Sequence, residues 1–406
     1  MKLRKSSLWM AVTLAAACST APTAPASPAD SAQAADAAVA VDAGTADGAS
    51  STDVQSGPTD IHAAPADYDK TGPFAVGFAA FDANDAARQR KVRMAWWYPT
   101  AAPATSVATA QAAYGDAGKP LADLFAAVTP TCVKATQLVA VDAQPLAGLW
   151  PTVAFSHCSG CYAASSAGLA ERLASHGFIV VAPDHPPNTV FEALAGKAFV
   201  GLSAQMLELR VGDIRFALDL ALDPTASAVP TALANHCDPA RVGVYGHSFG
   251  SMTTGRVLRD DPRVRAGVGI AAPMDTPLVG NVKMADIKRP VALLLAVEDN
   301  SIGQIGNQWL RENYAAANAP AVLVEVADAG HFSFSDAAGL RDAWPGCGAG
   351  LRQTDGAPFT YVDAAKGRAV AARVLTAWFA RFLRDEPKAT DALQLPWPAS
   401  VTVVLK

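Results

Sequence analysis

The chain has 406 residues, with 32 Lys and Arg against 37 Asp and Glu, which gives a net charge of −5 at pH 7. This mildly acidic balance, with no basic stripe, argues against nucleic acid as a partner. Hydrophobic residues make up 51% of the chain, enough for a sizeable core. Asp and Glu are scattered rather than set at metal-ligand spacing, so we expect no metal site.

The start of the chain is typical of an export signal. A basic segment, 1–5, precedes an apolar stretch, 8–17, that is too short to span a membrane as a mature helix. The residues before Cys18 resemble a lipoprotein processing site, and Ser19 in place of Asp implies no inner-membrane retention. We expect residues 1–17 to be a signal peptide and Cys18 to be lipidated, tethering the protein to the outer membrane of a Gram-negative bacterium. The alternative is a periplasmic or secreted protein.

The next segment is a predicted tether. Residues 19–66 consist mainly of Ala, Pro, Ser, Thr, Asp and Gly, with almost no large apolar side chains. Such a segment cannot bury enough surface to offset the entropy of ordering it. We therefore predict a disordered tether over 18–66 and a single folded domain over 67–406.

Apolar runs alternate with amphipathic stretches along this domain, which predicts an α/β fold with a mostly parallel central sheet and helices on both faces. The first two strands are expected to pair antiparallel. The predicted strands are 72–81, 91–99, 150–155, 178–182, 241–245, 264–270, 290–297 and 321–326. The predicted helices are 163–175, 202–222, 251–258, 307–316 and 363–383. We read 101–145 and 339–361 as insertions near the edge of the site.

Residues 246–250 read Gly-His-Ser-Phe-Gly and match the pattern Gly-x-Ser-x-Gly between a predicted strand and a predicted helix. Glycines flank the serine because side chains there would collide with the neighbouring strand and helix. Such a turn holds the Ser248 hydroxyl clear of the backbone, with the N–H of Phe249 directed at the same point. The pattern predicts Ser248 as a nucleophile and the Phe249 N–H as an oxyanion donor.

A carboxylate and a histidine follow the last two predicted strands. Asp299 comes after 290–297, and His331 comes after 321–326. The carboxyl ends of parallel strands lie at one edge of a sheet, so both side chains can converge on Ser248. His331 would take the serine proton, and Asp299 would orient His331 and stabilise its charged form.

Two other carboxylates are alternatives to Asp299. Asp275 follows the strand 264–270, where some hydrolases place this acid, and Glu298 is the neighbouring residue. Asp275 is the stronger of these two alternatives.

A second oxyanion donor is expected in the loop after the strand 150–155, which reads Ser-His-Cys-Ser-Gly-Cys over 156–161. By position we favour the N–H of Ser159. His157, His185 and His247 are interpreted as structural histidines.

The segment 155–182, with Trp-Tyr-Pro at 97–99 and the turn at 246–250, resembles the platelet-activating-factor acetylhydrolase and dienelactone-hydrolase-like esterases. Segments 296–299 and 330–332 are more similar to bacterial dienelactone hydrolases and polyester-cleaving, cutinase-like enzymes. The resemblance covers about residues 70–385 and implies the α/β-hydrolase fold. The chain departs from the pattern in having His-Cys where many relatives have His-Gly, and in placing the acid later than the animal acetylhydrolases do.

This resemblance implies a serine hydrolase that cleaves carboxylic esters through an acyl-enzyme. The expected substrates are short-acyl esters, with acetylated phospholipids among them, which points to lipid degradation. A dienelactone or polyester hydrolase is the alternative. The resemblance implies no cofactor, and the sequence leaves the oligomeric state open.

The cysteines supply a hypothesis from another class. Cys158 and Cys161 form a Cys-x-x-Cys between a strand and a helix, which is also typical of thiol–disulfide oxidoreductases. That activity would leave Ser248, Asp299 and His331 without a role, so we favour a local disulfide or two longer ones; a non-catalytic binding role is a further alternative. Besides Cys18, the odd set leaves at least one thiol unpaired within the chain, and the sequence does not fix the pairing of Cys132, Cys158, Cys161, Cys237 and Cys347.

Overall fold

The computed structural model describes residues 68–107, 110–127, 132, 138–279, 282–341 and 343–406. All of these lie in the second of two units into which the chain divides, residues 55–406. The predicted signal peptide (1–17), the lipidation site Cys18 and the predicted tether (18–66) lie outside the described residues and stay predictions. Among the described helices, none combines the length and hydropathy needed to cross a membrane.

Eleven of the described strands form one sheet, and two short strands form a separate hairpin. The sheet strands are β1 (Ala75–Asp85), β2 (Arg90–Thr100), β3 (Ser106–Val107), β4 (Leu138–Val141), β5 (Trp150–Ser156), β6 (Ile179–Pro183), β7 (Cys237–His247), β8 (Val264–Ile270), β9 (Val291–Ala296), β10 (Ala321–Val326) and β13 (Val401–Leu405). The hairpin strands are β11 (Ala349–Leu351) and β12 (Pro358–Thr360).

The spatial order across the sheet is β13-β10-β9-β8-β7-β5-β6-β2-β1-β4-β3. Strands β5 to β10 pair in parallel, whereas β1 with β2, β2 with β6, and β10 with β13 pair antiparallel. The predicted mostly parallel sheet and its antiparallel opening pair are therefore confirmed. All carboxyl ends of β5 to β10 lie at one edge, which is where a site can form.

Helices cover both faces of this sheet. They are α1 (Ala110–Tyr114), α2 (Lys119–Ala127), α3 (Ala167–Ser175), α4 (Val190–Leu194), α5 (Ala204–Leu222), α6 (Phe249–Asp260), α7 (Gly303–Ala316) and α8 (Ala364–Leu383). Helices α3 and α8 pack in the core on one face, and α5, α6 and α7 pack in the core on the other. Every residue of β9 is buried, because both of its faces are covered.

The structure adds to the predicted elements at β7, at α4, at β13 and within the two predicted insertions, which contain α1, α2 and the hairpin β11–β12. Strand β7 begins at Cys237 rather than 241, because the chain pairs with β5 on both sides of an irregularity in register. Strand β13 was not predicted; it is a half-exposed edge strand whose main support is pairing with β10. Helices α1 and α2 fall within the predicted insertion 101–145.

Candidate active site

Ser248 stands at a strained turn between β7 and α6. Its backbone has φ 58° and ψ −119°, a region that non-glycine residues rarely adopt. A Cβ on Gly246 would lie 2.0 Å from the carbonyl oxygen of Gly250, and one on Gly250 would lie 1.8 Å from that of Ser156. The two glycines are therefore required by close backbone approach, and they leave the serine partly exposed at the tip.

Asp299 and His331 meet at the carboxyl edge of the sheet, directly after β9 and β10. His331 Nδ1 lies 2.6 Å from Asp299 Oδ2. The other carboxylate oxygen of Asp299 accepts the N–H groups of Ser301 (3.0 Å) and Ile302 (3.1 Å). Asp299 is fully buried, and His331 is 3% exposed. These bonds fix the carboxylate and select the tautomer in which His331 carries its proton on Nδ1, leaving Nε2 as a base.

The structure does not bring the two alternative acids to His331. Asp275 Oδ2 accepts the N–H of Met284 at 3.4 Å. Glu298 accepts from Arg352 Nη1 (2.9 Å) and from the N–H of Gln353 (2.8 Å). Both carboxylates therefore have other partners.

His247, within the serine turn, contacts the backbone of the other histidine. Its Nε2 lies 2.8 Å from the carbonyl oxygen of His331, and the ring is buried. Burial, with the nearby His331 ring, lowers the pKa of His247 to about 3. The ring is therefore neutral, and it joins the serine turn to the loop that carries His331.

Ser248 and His331 line one cleft of about 430 Å³. Its walls are largely apolar and include Met252, Trp309, Phe332 and Trp344; Cys158 and Ser159 lie at one side. Of the described residues that line it, none is Lys, Arg, Asp or Glu. Its size and lining suit a small neutral molecule with an apolar body.

Cys158 and Cys161 form a disulfide in the loop after β5, beside Ser159. Ser159 Oγ accepts a hydrogen bond from Asn188 Nδ2 at 2.9 Å, and the N–H of Gly160 donates to the carbonyl of Asn188 at 3.2 Å. This loop, residues 156–161, is therefore covalently closed and bonded to the chain after β6. We call it the oxyanion loop for its predicted role.

A second disulfide joins Cys132 to Cys347, at positions 215 residues apart. It connects the two predicted insertions, 101–145 and 339–361. Cys237 is free and buried. Among the described residues, no cluster of three His, Cys, Asp or Glu side chains could hold a metal ion.

Beneath the oxyanion loop lies a second serine–histidine–aspartate array. Ser156 Oγ is 3.0 Å from His185 Nε2, and His185 Nδ1 is 3.1 Å from Asp213 Oδ2. All three side chains are fully buried, so no ester can reach Ser156. Burial and the cation of Arg210 hold the pKa of His185 well below its usual value, so the ring is neutral. We interpret this array as structural support for the loop.

Arg210 and Asp213 did not emerge from the sequence analysis. Both lie on α5, and Arg210 is fully buried. The sequence could have indicated that Arg210 is buried. It lies four residues after Met206 and four before Ile214, so all three share the buried face of α5. A charged residue at such a position requires buried partners.

Comparison with known proteins gives one family and several relatives. Residues 139–383 match the family model described as Dienelactone hydrolase family. A cutinase of Thermobifida alba is 31% identical over 141 residues, which are 35% of this chain and 39% of that protein. Platelet-activating factor acetylhydrolase of Canis lupus familiaris is 24% identical over 168 residues, which are 33% of this chain and 38% of that protein. The chain thus spans about two fifths of each of these curated relatives.

Among solved structures, ferulic acid esterase from Streptomyces cinnamoneus matches with a TM-score of 0.60. The match covers 84% of this chain and 98% of that one, at 23% sequence identity. The α/β-hydrolase fold and the family resemblance predicted from the sequence are confirmed by these matches.

Proposed function

Because the chain belongs to the dienelactone hydrolase family, we propose that it is a carboxylic ester hydrolase that works through an acyl-enzyme on Ser248. The observation that carries this proposal is the 2.6 Å contact between His331 Nδ1 and Asp299 Oδ2, in the cleft that Ser248 lines. A serine hydroxyl is a poor nucleophile at neutral pH, and a neutral histidine oriented by a carboxylate supplies the base it needs.

In the proposed reaction, Ser248 Oγ attacks the ester carbonyl carbon while its proton passes to His331 Nε2. Asp299 stabilises the imidazolium that forms. The N–H of Phe249, at the start of α6, and a donor near Ser159 would hold the negative oxygen. The carbon–oxygen bond then breaks, and the alcohol leaves with the proton from His331. His331 then takes a proton from water, which attacks the acyl carbon. The bond to Ser248 Oγ breaks, His331 returns the proton to that oxygen, and the acid is released.

We propose uncharged esters as substrates because the described lining of the cleft is largely apolar, and the family resemblance implies a short acyl group. A substrate that carries a carboxylate or a phosphate finds no cationic side chain among the described lining residues, so such a group would have to lie outside the cleft. An acetylated phospholipid fits if its phosphate stays at the mouth. Acetate and butyrate esters are thus the first substrates to test.

A second candidate is a cutinase-like hydrolase of extended apolar esters. Leu202, Leu278 and Ile305 line the cleft and are 47%, 63% and 52% exposed. Large exposed apolar side chains at a cleft mouth are typical of a surface that contacts apolar material. These three exposed side chains favour substrates whose alcohol part is long and water-insoluble, such as polyesters.

The test is hydrolysis of p-nitrophenyl esters, from acetate to laurate, by the wild type and by Ser248→Ala. The substitution should reduce kcat by roughly 10⁶-fold, to background. Ser227→Ala, at an exposed serine that is not among the residues lining the cleft, is the control and should keep wild-type turnover. Retention of most turnover by Ser248→Ala would refute the proposal. Activity on acetylated phospholipid or on a polyester film then separates the two substrate candidates.

A further inference from the structure

Arg210 contacts both halves of the proposed oxyanion hole. On one side, its guanidinium carbon lies 4.6 Å from the ring centroid of Phe249, whose N–H is one proposed donor. Its Nε also donates to Thr253 Oγ1 (3.3 Å), and the Thr253 hydroxyl donates to the carbonyl of Phe249 (3.1 Å). This side of Arg210 thus packs against the first turn of α6.

The other side of Arg210 binds the oxyanion loop. Its Nη2 donates to the carbonyl oxygen of His157 and to Ser156 Oγ (3.2 Å). Its Nη1 donates to Asn188 Oδ1 at 2.6 Å, and Asn188 Nδ2 in turn donates to Ser159 Oγ. The cation of Arg210 therefore binds the loop directly at Ser156 and His157. It connects to Ser159 through the side chain of Asn188.

The buried array described above completes the fit. The Ser156 hydroxyl accepts from Arg210 and donates to the neutral His185, whose Nδ1–H donates to Asp213. Asp213 also pairs with Arg88 (2.9 Å) and Arg90 (2.9 Å), so the buried carboxylate is neutralised. Each of the three guanidinium nitrogens of Arg210 thus has a hydrogen-bond acceptor, and these bonds hold the cation in position.

We propose that Arg210 is a positioning residue that sets the distance between the two donors of the oxyanion hole, through the ring of Phe249 and the carbonyl of His157. This proposal rests on the proposed ester hydrolysis. Its physical basis is that oxyanion donors stabilise a transition state only when they are held in place before the reaction. A guanidinium offers five donors in a rigid fork, which a lysine ammonium cannot reproduce.

The test compares the full chain with Arg210→Lys, Arg210→Met and, as control, Arg215→Met on the exposed side of the same helix. We expect Arg210→Met to lower kcat about 100-fold with KM within threefold, and Arg210→Lys to lower it at least tenfold. Arg215→Met should match the wild type. The substrates are an ester and its thiono analogue, whose sulfur is a weak hydrogen-bond acceptor. The wild type should prefer the oxygen ester strongly, and both Arg210 variants should lose most of that preference.

A merely structural role would give a different result. In that case the Arg210 variants would melt at lower temperature, yet the folded fraction would keep the wild-type kcat and the wild-type preference for the oxygen ester. That outcome would overturn the proposal. If Arg210→Met does not fold, the Arg210→Lys data decide. Failure of the ester-hydrolase proposal is recognised separately, because Ser248→Ala would then retain turnover.

Discussion

The indole ring of Trp344 stacks on the ring of Phe332, with centroids 5.6 Å apart and planes inclined by 30°. Phe332 follows His331 in the chain, and both aromatic rings line the cleft. The N–H of Phe332 also donates to the carbonyl of Pro345 at 3.2 Å. The insertion that carries Trp344 therefore forms the wall of the cleft beside the proposed catalytic base.

Removal of this wall should change which acyl groups fit. We expect Trp344→Ala to raise kcat/KM for laurate relative to acetate esters by about tenfold, because the wider cleft accepts a longer chain. The variant should also lose about 3 kcal/mol of stability from the vacated volume. The measurement is kcat/KM across p-nitrophenyl esters of increasing chain length.

Trp397→Ala is the matched control for this prediction. Trp397 packs against Arg373, with 3.8 Å between the guanidinium carbon and the ring centroid, and is not among the residues that line the cleft. It should lose stability without a change in chain-length preference. An unchanged preference in Trp344→Ala would show that Trp344 does not limit the acyl group.

Because Asp299 Oδ2 contacts His331 Nδ1, we expect replacement of the Asp299 carboxylate by an amide to lower kcat strongly. Asp299→Asn should lower kcat by about 10³–10⁴-fold, because an amide favours the wrong tautomer of His331 and does not stabilise the imidazolium. Melting temperature should change little, since the side chain keeps its shape. Steady-state kinetics on p-nitrophenyl acetate measure the effect.

Asp275→Asn is the control, because Asp275 bonds to the backbone of Met284 rather than to His331. It should retain kcat within about threefold. A large loss in Asp275→Asn with a small loss in Asp299→Asn would assign the acid to the earlier strand.

The proposed catalytic residues could be predicted because each follows the end of a strand. Local sequence identifies such a residue, and the parallel sheet places all the strand ends at one edge. Ser248 follows β7, Asp299 follows β9 and His331 follows β10. Arg210 could not be assigned in the same way, because its partners come from three other segments of the chain: the oxyanion loop, the loop at Asn188 and helix α6. The apolar stripe of α5 could have marked Arg210 as a buried cation, but it does not show which groups the cation binds.

The pairing of Cys132 with Cys347 and the cleft walls were likewise beyond the sequence, whereas the disulfide between Cys158 and Cys161 is one of the alternatives that the sequence left open. Cys132 and Cys347 are 215 residues apart, and their pairing depends on where two insertions lie on the surface of the fold. Strand β13 was missed because an edge strand carries a weak pattern: its residues are half-buried or exposed. The sequence predicted that the proposed catalytic residues meet at one edge of the sheet, but it did not predict the shape of the cleft beside them.

The long disulfide should mainly affect stability. Replacement of both Cys132 and Cys347 by serine removes a cross-link that spans most of the folded domain. We expect a loss of about 2–4 kcal/mol, seen as a lower melting temperature, because the unfolded chain gains freedom. Thermal unfolding followed by circular dichroism measures this loss.

The Cys158→Ser/Cys161→Ser double variant is its counterpart. A disulfide that closes so short a loop restricts the unfolded chain only slightly. Its removal should therefore lower stability less than removal of the long disulfide. Its kcat should fall about tenfold, since the loop that carries Ser159 is no longer closed. Equal losses of stability in the two double variants would contradict this distinction.

Glu171 makes the stability of the fold depend on pH. It lies on α3 and is 3% exposed; burial, with the charge of Asp336, raises its pKa from 4.5 to about 8. Between these two values the unfolded chain loses the proton while the folded protein keeps it, so stability falls as pH rises from 4.5 to 8. Below 4.5 both states are protonated, and the effect disappears.

Glu171→Gln should therefore be more stable than the wild type at pH 8, by on the order of 4 kcal/mol. The difference should shrink as pH falls and vanish near pH 4.5, because glutamine resembles the protonated acid at every pH. Melting temperatures from pH 4 to 9 test this expectation. Glu312→Gln, at an exposed position of α7, should show no such trend. A difference between Glu171→Gln and the wild type that does not vary with pH would mean that Glu171 is ionised in the folded protein.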